Sequence, residues 1–168
     1  SARGSRPWRR VDGAAPRSER ALRLIAYAWS HARYHDPATG ESFDGDYDQR
    51  HTLNAYGSLR LWSRTTLTSK LRVGSNIPVR GYYDATGKTD TDGLPTFVLG
   101  RTRNAARLPG YARLDVRLNQ VFNFSTRRLT LFVELINVLN RTNVGLAGGR
   151  SVQKLLPFVP AAGCLVEF

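Results

Sequence analysis

Residues 111–140 read YARLDVRLNQVFNFSTRRLTLFVELINVLN, two runs of alternating apolar and polar residues on either side of a short polar turn. Because successive side chains of a strand point to opposite faces, each run has one apolar and one polar face. The apolar faces carry Leu114, Val116, Leu118, Leu129, Leu131 and Val133. The polar faces carry Arg113, Asp115, Arg117, Thr130 and Glu134. The stretch predicts an antiparallel β-hairpin with its turn at residues 125–127.

Both runs of the hairpin are long. Each has about 10 residues, against the ~5–6 that are typical of soluble strands, and about this length is needed for a tilted strand to cross a bilayer. A soluble sheet with its charges facing water shows the same alternation, so periodicity alone leaves both possibilities open.

The hairpin and the end of the chain also carry a distinctive set of motifs. The first run begins YARLD at Tyr111, the second contains ELINVLN from Glu134, and the last residue is Phe168. Upstream, residues 27–30 read YAWS and residues 48–54 read DQRHTLN. In this order and spacing, the motifs resemble the last strands of TonB-dependent outer-membrane receptors. The resemblance covers about residues 21–168.

The resemblance implies an all-β fold, with about six long antiparallel meander strands that form the C-terminal part of a large transmembrane β-barrel. It implies a receptor in the cell outer membrane of a Gram-negative-type organism. Such a receptor uses energy relayed by TonB to take up a scarce small molecule of the siderophore, cobalamin or carbohydrate type.

The same resemblance implies roles for the two faces of the hairpin. The apolar faces would contact outer-membrane lipid, and the polar faces would form a ladder of paired charges in the lumen. Val166 and Phe168 would form the assembly signal that the barrel-assembly machinery reads.

Alternation predicts four further strands, at residues 22–34, 51–62, 66–75 and 160–168. The turn at residues 63–65 is short, whereas long loops are expected at residues 35–50, 76–109 and 141–154. Short turns at one end and long loops at the other are typical of outer-membrane barrels. Within the longest loop, Tyr82, Tyr83 and Phe97 predict a short hairpin.

Residues 1–20 are rich in arginine, proline, glycine and serine and show no apolar period. They predict a disordered or non-native basic tail ahead of the barrel strands at residues 21–168. The sequence shows neither a secretion-signal pattern nor the plug region through which TonB would act. We therefore expect a fragment that is inactive in transport by itself.

The formal charge is +12 and the pI about 10.8, which suggests an anionic partner. The basic residues form no patch with interleaved aromatics, and no zinc-finger, RNP or recognition-helix pattern occurs, so no nucleic-acid partner is expected. The alternative to a receptor is a soluble all-β basic module that binds an anionic partner through its loops. A requirement for detergent during purification separates the two.

The sequence predicts no enzyme and no cofactor or metal site. Its histidines, His31, His35 and His51, lie outside any metal-ligand or nucleophile pattern. Acidic residues are frequent in the first loop, but their spacing matches no EF-hand, so we expect a solvated loop.

Two carboxylates of the hairpin, Asp115 and Glu134, are expected to face each other across the strands. Arg113 and Arg117 flank them, which indicates paired charges and not acid–base catalysis. The single cysteine, Cys164, is interpreted as a small apolar residue on the lipid face.

Overall fold

The computed structural model describes residues 21–148 and 151–168. Within these ranges all the regular secondary structure is β-strand. No helix there is long and apolar enough to cross a membrane. The all-β prediction is therefore confirmed. The tail predicted at residues 1–20 lies outside the described residues.

The described residues contain twelve strands, numbered here in chain order. They are β1 (Ala21–Trp29), β2 (Arg33–His35), β3 (Ser42–Asp44), β4 (His51–Trp62), β5 (Thr65–Gly74), β6 (Tyr82–Thr89), β7 (Pro95–Arg103), β8 (Tyr111–Asn123), β9 (Arg128–Ile136), β10 (Val144–Ala147), β11 (Ser151–Lys154) and β12 (Val159–Glu167). One antiparallel sheet contains β1, β4, β5, β8, β9 and β12, in this spatial order. The remaining strands form the two-stranded hairpins β2–β3, β6–β7 and β10–β11. The expected set of six antiparallel strands is present.

In the register of the six-stranded sheet, apolar residues lie opposite apolar residues of the neighbouring strand, and polar residues lie opposite polar ones. Leu118 in β8 lies opposite Val133 in β9 and opposite Leu67 in β5. One position earlier, Arg117 lies opposite Glu134 and Thr68. Since side chains alternate with a period of two, this register gives the four central strands, β4, β5, β8 and β9, one largely apolar and one largely polar face.

The two ends of the sheet differ in their connections. At one end, short turns at residues 63–64 and 124–127 join β4 to β5 and β8 to β9. At the other end, the three hairpins lie within the long connections at residues 30–50, 75–110 and 137–158. The hairpin predicted around Tyr82, Tyr83 and Phe97 is confirmed as β6–β7.

Three predictions for the connections are wrong. The strand predicted over residues 22–34 ends at Trp29, and Arg33–His35 pair instead with Ser42–Asp44. The loops predicted at residues 35–50 and 141–154 therefore contain strands, because β10 and β11 also pair within the second of them. Backbone amide and carbonyl groups need partners, and local hairpins supply them beyond the end of the large sheet.

The fully buried apolar side chains of the described residues all lie in the long connections. They are Pro78, Val79, Ala106, Leu108 and Val144. In the six-stranded sheet no apolar side chain reaches this degree of burial, and Val133, near the middle of β9, is 52% exposed. The protein thus has a small core at the connection end and none against the apolar face of the sheet.

Gly163 in β12 makes room for an aromatic ring on the polar face. A Cβ atom at this position would lie 2.6 Å from Cζ of Phe132 on the neighbouring strand β9. Arg117 of β8 places its Cζ atom 3.8 Å from the centroid of the same ring. One ring therefore contacts the backbone of β12 and a cation of β8, which joins three strands.

The substitution Gly163→Val should destabilise the sheet, because the new side chain would occupy the space of the Phe132 ring. We expect the free energy of unfolding to fall by about 1–3 kcal/mol, the usual cost of overpacking. Tryptophan fluorescence during urea titration measures the change.

Ala161→Val, on the same face two residues earlier, is the matched control. In a Phe132→Ala background most of the penalty of Gly163→Val should disappear. An equal loss of stability in both backgrounds would show that the penalty of Gly163→Val does not come from a clash with the Phe132 ring.

Candidate functional site

The polar face of the six-stranded sheet concentrates the charges of its strands. The register places six basic residues on it: Arg60, Lys70, Arg72, Arg113, Arg117 and Arg128. It places three acidic residues on the same face: Asp115, Glu134 and Glu167. Six positive charges less three negative charges give this face a formal charge of +3.

All five residues that were predicted to line the lumen lie on this polar face. Arg113 Nε donates to Asp115 Oδ1 at 2.7 Å, and Arg117 Nη1 lies 3.7 Å from Glu134 Oε2. Thr130 lies nearer the short turn, opposite Val121 and Leu165, and is separate from these two ion pairs. The face therefore brings four of the five residues together as pairs of opposite charge.

Asp115 and Glu134 do not face each other, contrary to the expectation. Glu134 lies opposite Arg117, whereas Asp115 lies opposite Lys70 of β5. Asp115 Oδ1 also accepts the backbone N–H of Asn137 at 2.9 Å, just beyond the end of β9. Each carboxylate thus has its own basic partner, and the two do not form a site for general acid–base chemistry.

The residues predicted to face lipid share the opposite, apolar face of the sheet. Leu118, Leu131 and Val133 are 40%, 42% and 52% exposed, and no other described strand packs across them. The surface continues onto the adjacent strands, where Leu71 pairs with Leu114 and Cys164 pairs with Leu131. The result is an uncovered, largely apolar face across the sheet, on which the register also places Arg23 of β1, Ser69 of β5 and Gln120 of β8.

The two residues of the predicted assembly signal lie at the end of β12. Val166 lies opposite Leu129 on the apolar face. Phe168 is 89% exposed, and the Arg127 guanidinium carbon lies 5.0 Å from its ring centroid. Their role in assembly stays a prediction.

A second polar cluster lies in the long connections, and the sequence analysis missed it. Asp48 is 2% exposed and accepts hydrogen bonds from Arg107 and Arg50. The same two guanidinium groups donate to Asp44 Oδ2, each at 2.8 Å. The first connection is therefore fixed to the second by partly buried ion pairs and is not the solvated loop that we expected.

These ion pairs change the acidity of the carboxylates. Burial opposes the ionisation of Asp44, but hydrogen bonds from Arg107 and His31 outweigh it and lower the pKa of Asp44. Burial likewise opposes the ionisation of Asp48, and hydrogen bonds from the Ala32 amide and from Arg107 hold its pKa below the ordinary value. Both carboxylates are ionised at neutral pH.

The same cluster also contains a group of potential metal ligands. Ligand atoms of His31, Asp44 and Asp48 lie within 4.8 Å of one another. However, Arg50 and Arg107 already occupy the carboxylate oxygens that a cation would need. Arginine stays protonated in proteins, so these guanidinium groups would repel a metal ion. We interpret the cluster as a network of ion pairs.

Buried asparagines connect the loops to each other and to the sheet. Asn104 has a φ of 58° and is 1% exposed; its side chain donates to Asp46 and accepts the N–H of Gly81. Asn143 accepts the N–H of Ala112 in β8 and donates to the carbonyl of the same residue. Asparagine suits both positions because its amide both donates and accepts, and it suits position 104 also because it tolerates positive φ.

Comparison of the chain with protein families, curated proteins and solved structures gave no match. The functional interpretation therefore depends on the sheet, on the chemistry of its two faces and on the network in the connections.

Protonation of Asp48 should loosen the first connection, because its carboxylate accepts the amide of Ala32 at 2.9 Å. Since its pKa is lowered on folding, the stabilisation is present above the unfolded-state pKa and is lost as pH falls through the folded-state pKa. We expect protection of the Ala32 amide from hydrogen exchange to fall across that acidic range.

Hydrogen exchange resolved by residue measures this effect. The amide of Val121 is the control, since it donates to the backbone carbonyl of Arg64, which does not titrate. If the protection factors of both amides change equally with pH, the carboxylate does not hold the connection.

Proposed function

We propose that residues 21–168 form barrel strands of a TonB-dependent outer-membrane receptor, which takes up a scarce small molecule. In this proposal the apolar face contacts lipid, the polar face lines the lumen, and transport is a property of the larger barrel. The role is uptake and not catalysis.

The observation that carries the proposal is the uncovered apolar face. Exposing such a surface to water costs free energy in proportion to its area, and large contiguous apolar patches are rare on soluble monomers. A soluble β-sandwich covers this surface with a second sheet, but no described strand lies across it here. Lipid covers it without a protein partner.

The lengths of the strands and their connections support the same proposal. β4 has 12 residues and β8 has 13, enough for a tilted strand to cross the hydrocarbon core, which takes about 9–11 residues. Short turns at one end and long, structured connections at the other follow the asymmetry of outer-membrane barrels.

The unpaired edges of the sheet support the proposal of a larger barrel. Within the described residues, β1 and β12 each pair with a single strand of the sheet. Hydrocarbon leaves no water to satisfy unpaired backbone groups, so both edges need partners in a bilayer. A receptor barrel of about 22 strands provides them.

A fluorophore on the native Cys164 tests the membrane proposal directly. Cys164 lies on the apolar face, and its neighbour Leu165 lies on the polar face at nearly the same depth. In lipid vesicles, the label on Cys164 should be quenched by lipid-soluble and not by aqueous quenchers. A label at residue 165, in a Cys164→Ala background, should show the reverse.

Each other outcome of this labelling experiment has a definite meaning. If residue 165 is the one accessible from lipid, the polar face and not the apolar face contacts the membrane, and the assignment of the two faces is reversed. A chain that stays in solution without detergent, with neither label accessible from lipid, would instead support the soluble basic module.

Charge substitutions on adjacent residues of β9 provide an independent energetic test. Leu131→Arg places a charge in lipid and should cost about 2–4 kcal/mol of unfolding free energy near the midplane, whereas Thr130→Arg faces the polar side and should cost little. Urea titration in vesicles measures both. Equal costs would contradict a lipid-facing Leu131.

A further inference from the structure

One group of residues on the polar face carries more positive than negative charge. Lys70, Arg72 and Arg113 line a cavity of about 110 Å³, which Tyr111 and Asp115 complete. Three cations less one carboxylate leave a local charge of +2 at this cavity.

The register places two of these cations side by side. Arg72 of β5 lies directly opposite Arg113 of β8, and like charges in this relation destabilise a sheet. On the other side of β5, Arg72 lies opposite Asn54, which is uncharged. The Arg72 guanidinium carbon lies 5.8 Å from the ring centroid of Tyr111, and no carboxylate of the described residues forms an ion pair with Arg72.

Asp115 does not compensate for the charge of Arg72. Its Oδ1 atom accepts hydrogen bonds from Arg113 Nε and from the backbone N–H of Asn137. Its cross-strand neighbour on β5 is Lys70, which adds a further positive charge beside it. Arg72 therefore keeps its donors available at the mouth of the cavity.

We propose that this cluster binds an oxyanion group, a phosphate or a carboxylate, of a small molecule that moves along the polar face. Guanidinium N–H groups match the oxygens of such anions, and Arg72 and Arg113 converge on the cavity from adjacent strands. The Lys70 ammonium and the Tyr111 hydroxyl provide further donors.

Asp115 already pairs with Arg113, so an oxyanion at this position would offset the charge of Arg72, which no carboxylate of the described residues pairs with. The substrate class that follows is anionic. That the bound molecule is cargo rests on the proposed function, whereas the anion site itself stands on the local geometry alone.

Unfolding of the full chain in uncharged detergent tests the site, with inorganic phosphate as the probe and sodium chloride at equal ionic strength as the reference. Phosphate should raise the unfolding midpoint of the native chain beyond the effect of chloride, because it binds the folded state. Arg72→Gln should weaken phosphate binding about tenfold, the loss expected for a hydrogen bond to a charged group.

Arg101→Gln is the matched control, since it removes the same charge from the exposed β6–β7 hairpin. It should leave the phosphate effect unchanged. Without phosphate, Arg72→Gln should fold at least as stably as the native chain, because it relieves repulsion with Arg113. A loss of stability in that variant would overturn the inference.

Three sugars identify the anionic group. Glucose 6-phosphate and gluconate carry a phosphate and a carboxylate, and glucose carries neither. The phosphate sugar, the carboxylate sugar or both should stabilise the native chain and not the Arg72→Gln variant. Equal effects of all three sugars, or equal losses in the Arg72→Gln and Arg101→Gln variants, would overturn the anion site.

The result is independent of the membrane test. If Cys164 contacts lipid but phosphate has no specific effect, the receptor proposal stands and the anionic substrate class falls. If phosphate binds at Arg72 in a chain that avoids lipid, the anion site stands and its role in uptake falls.

Discussion

A sheet with one largely apolar face has to keep that face away from water, and this constraint explains much of the structure. Leu118, Leu131 and Val133 are uncovered because no other described strand packs across their face of the sheet. The hydrophobic core of the described residues is displaced to the connections, around Val79 and Leu108. Cohesion within the sheet comes instead from paired backbone groups and from contacts such as Phe132 on Gly163.

Charge is balanced differently in the two polar regions of the protein. In the connections, Asp44 and Asp48 are matched by Arg50 and Arg107, and Asp48 is almost completely buried. A buried charge without a partner costs several kcal/mol, so this network is close to neutral. On the polar face of the sheet Arg72 is exposed. Its unpaired charge therefore costs little free energy while water solvates it.

Strict local patterns were predictable from the sequence, whereas features that depend on distant partners were not. β4 was predicted over residues 51–62 and is found at His51–Trp62, because its alternation is uninterrupted. The alternation of β1 continues past Trp29 in the sequence, but the strand ends there because its partner β4 begins at His51. The Asp48–Arg107 pair joins residues 59 positions apart, and no local pattern indicates it.

The motifs behind the resemblance to receptors form one structural unit where the sheet meets its connections. Asp115, which ends the YARLD motif, accepts the amide of Asn137 from the ELINVLN motif. Asn137 is fully buried at a φ of 53°, and its side chain donates to the carbonyl groups of Arg141 and Leu156. These residues determine how β9 leaves the sheet, which is a requirement of the fold and not of a ligand. The proposed anion site combines Tyr111, Arg113 and Asp115 of the YARLD motif with Lys70 and Arg72 of β5, which lie outside the motifs.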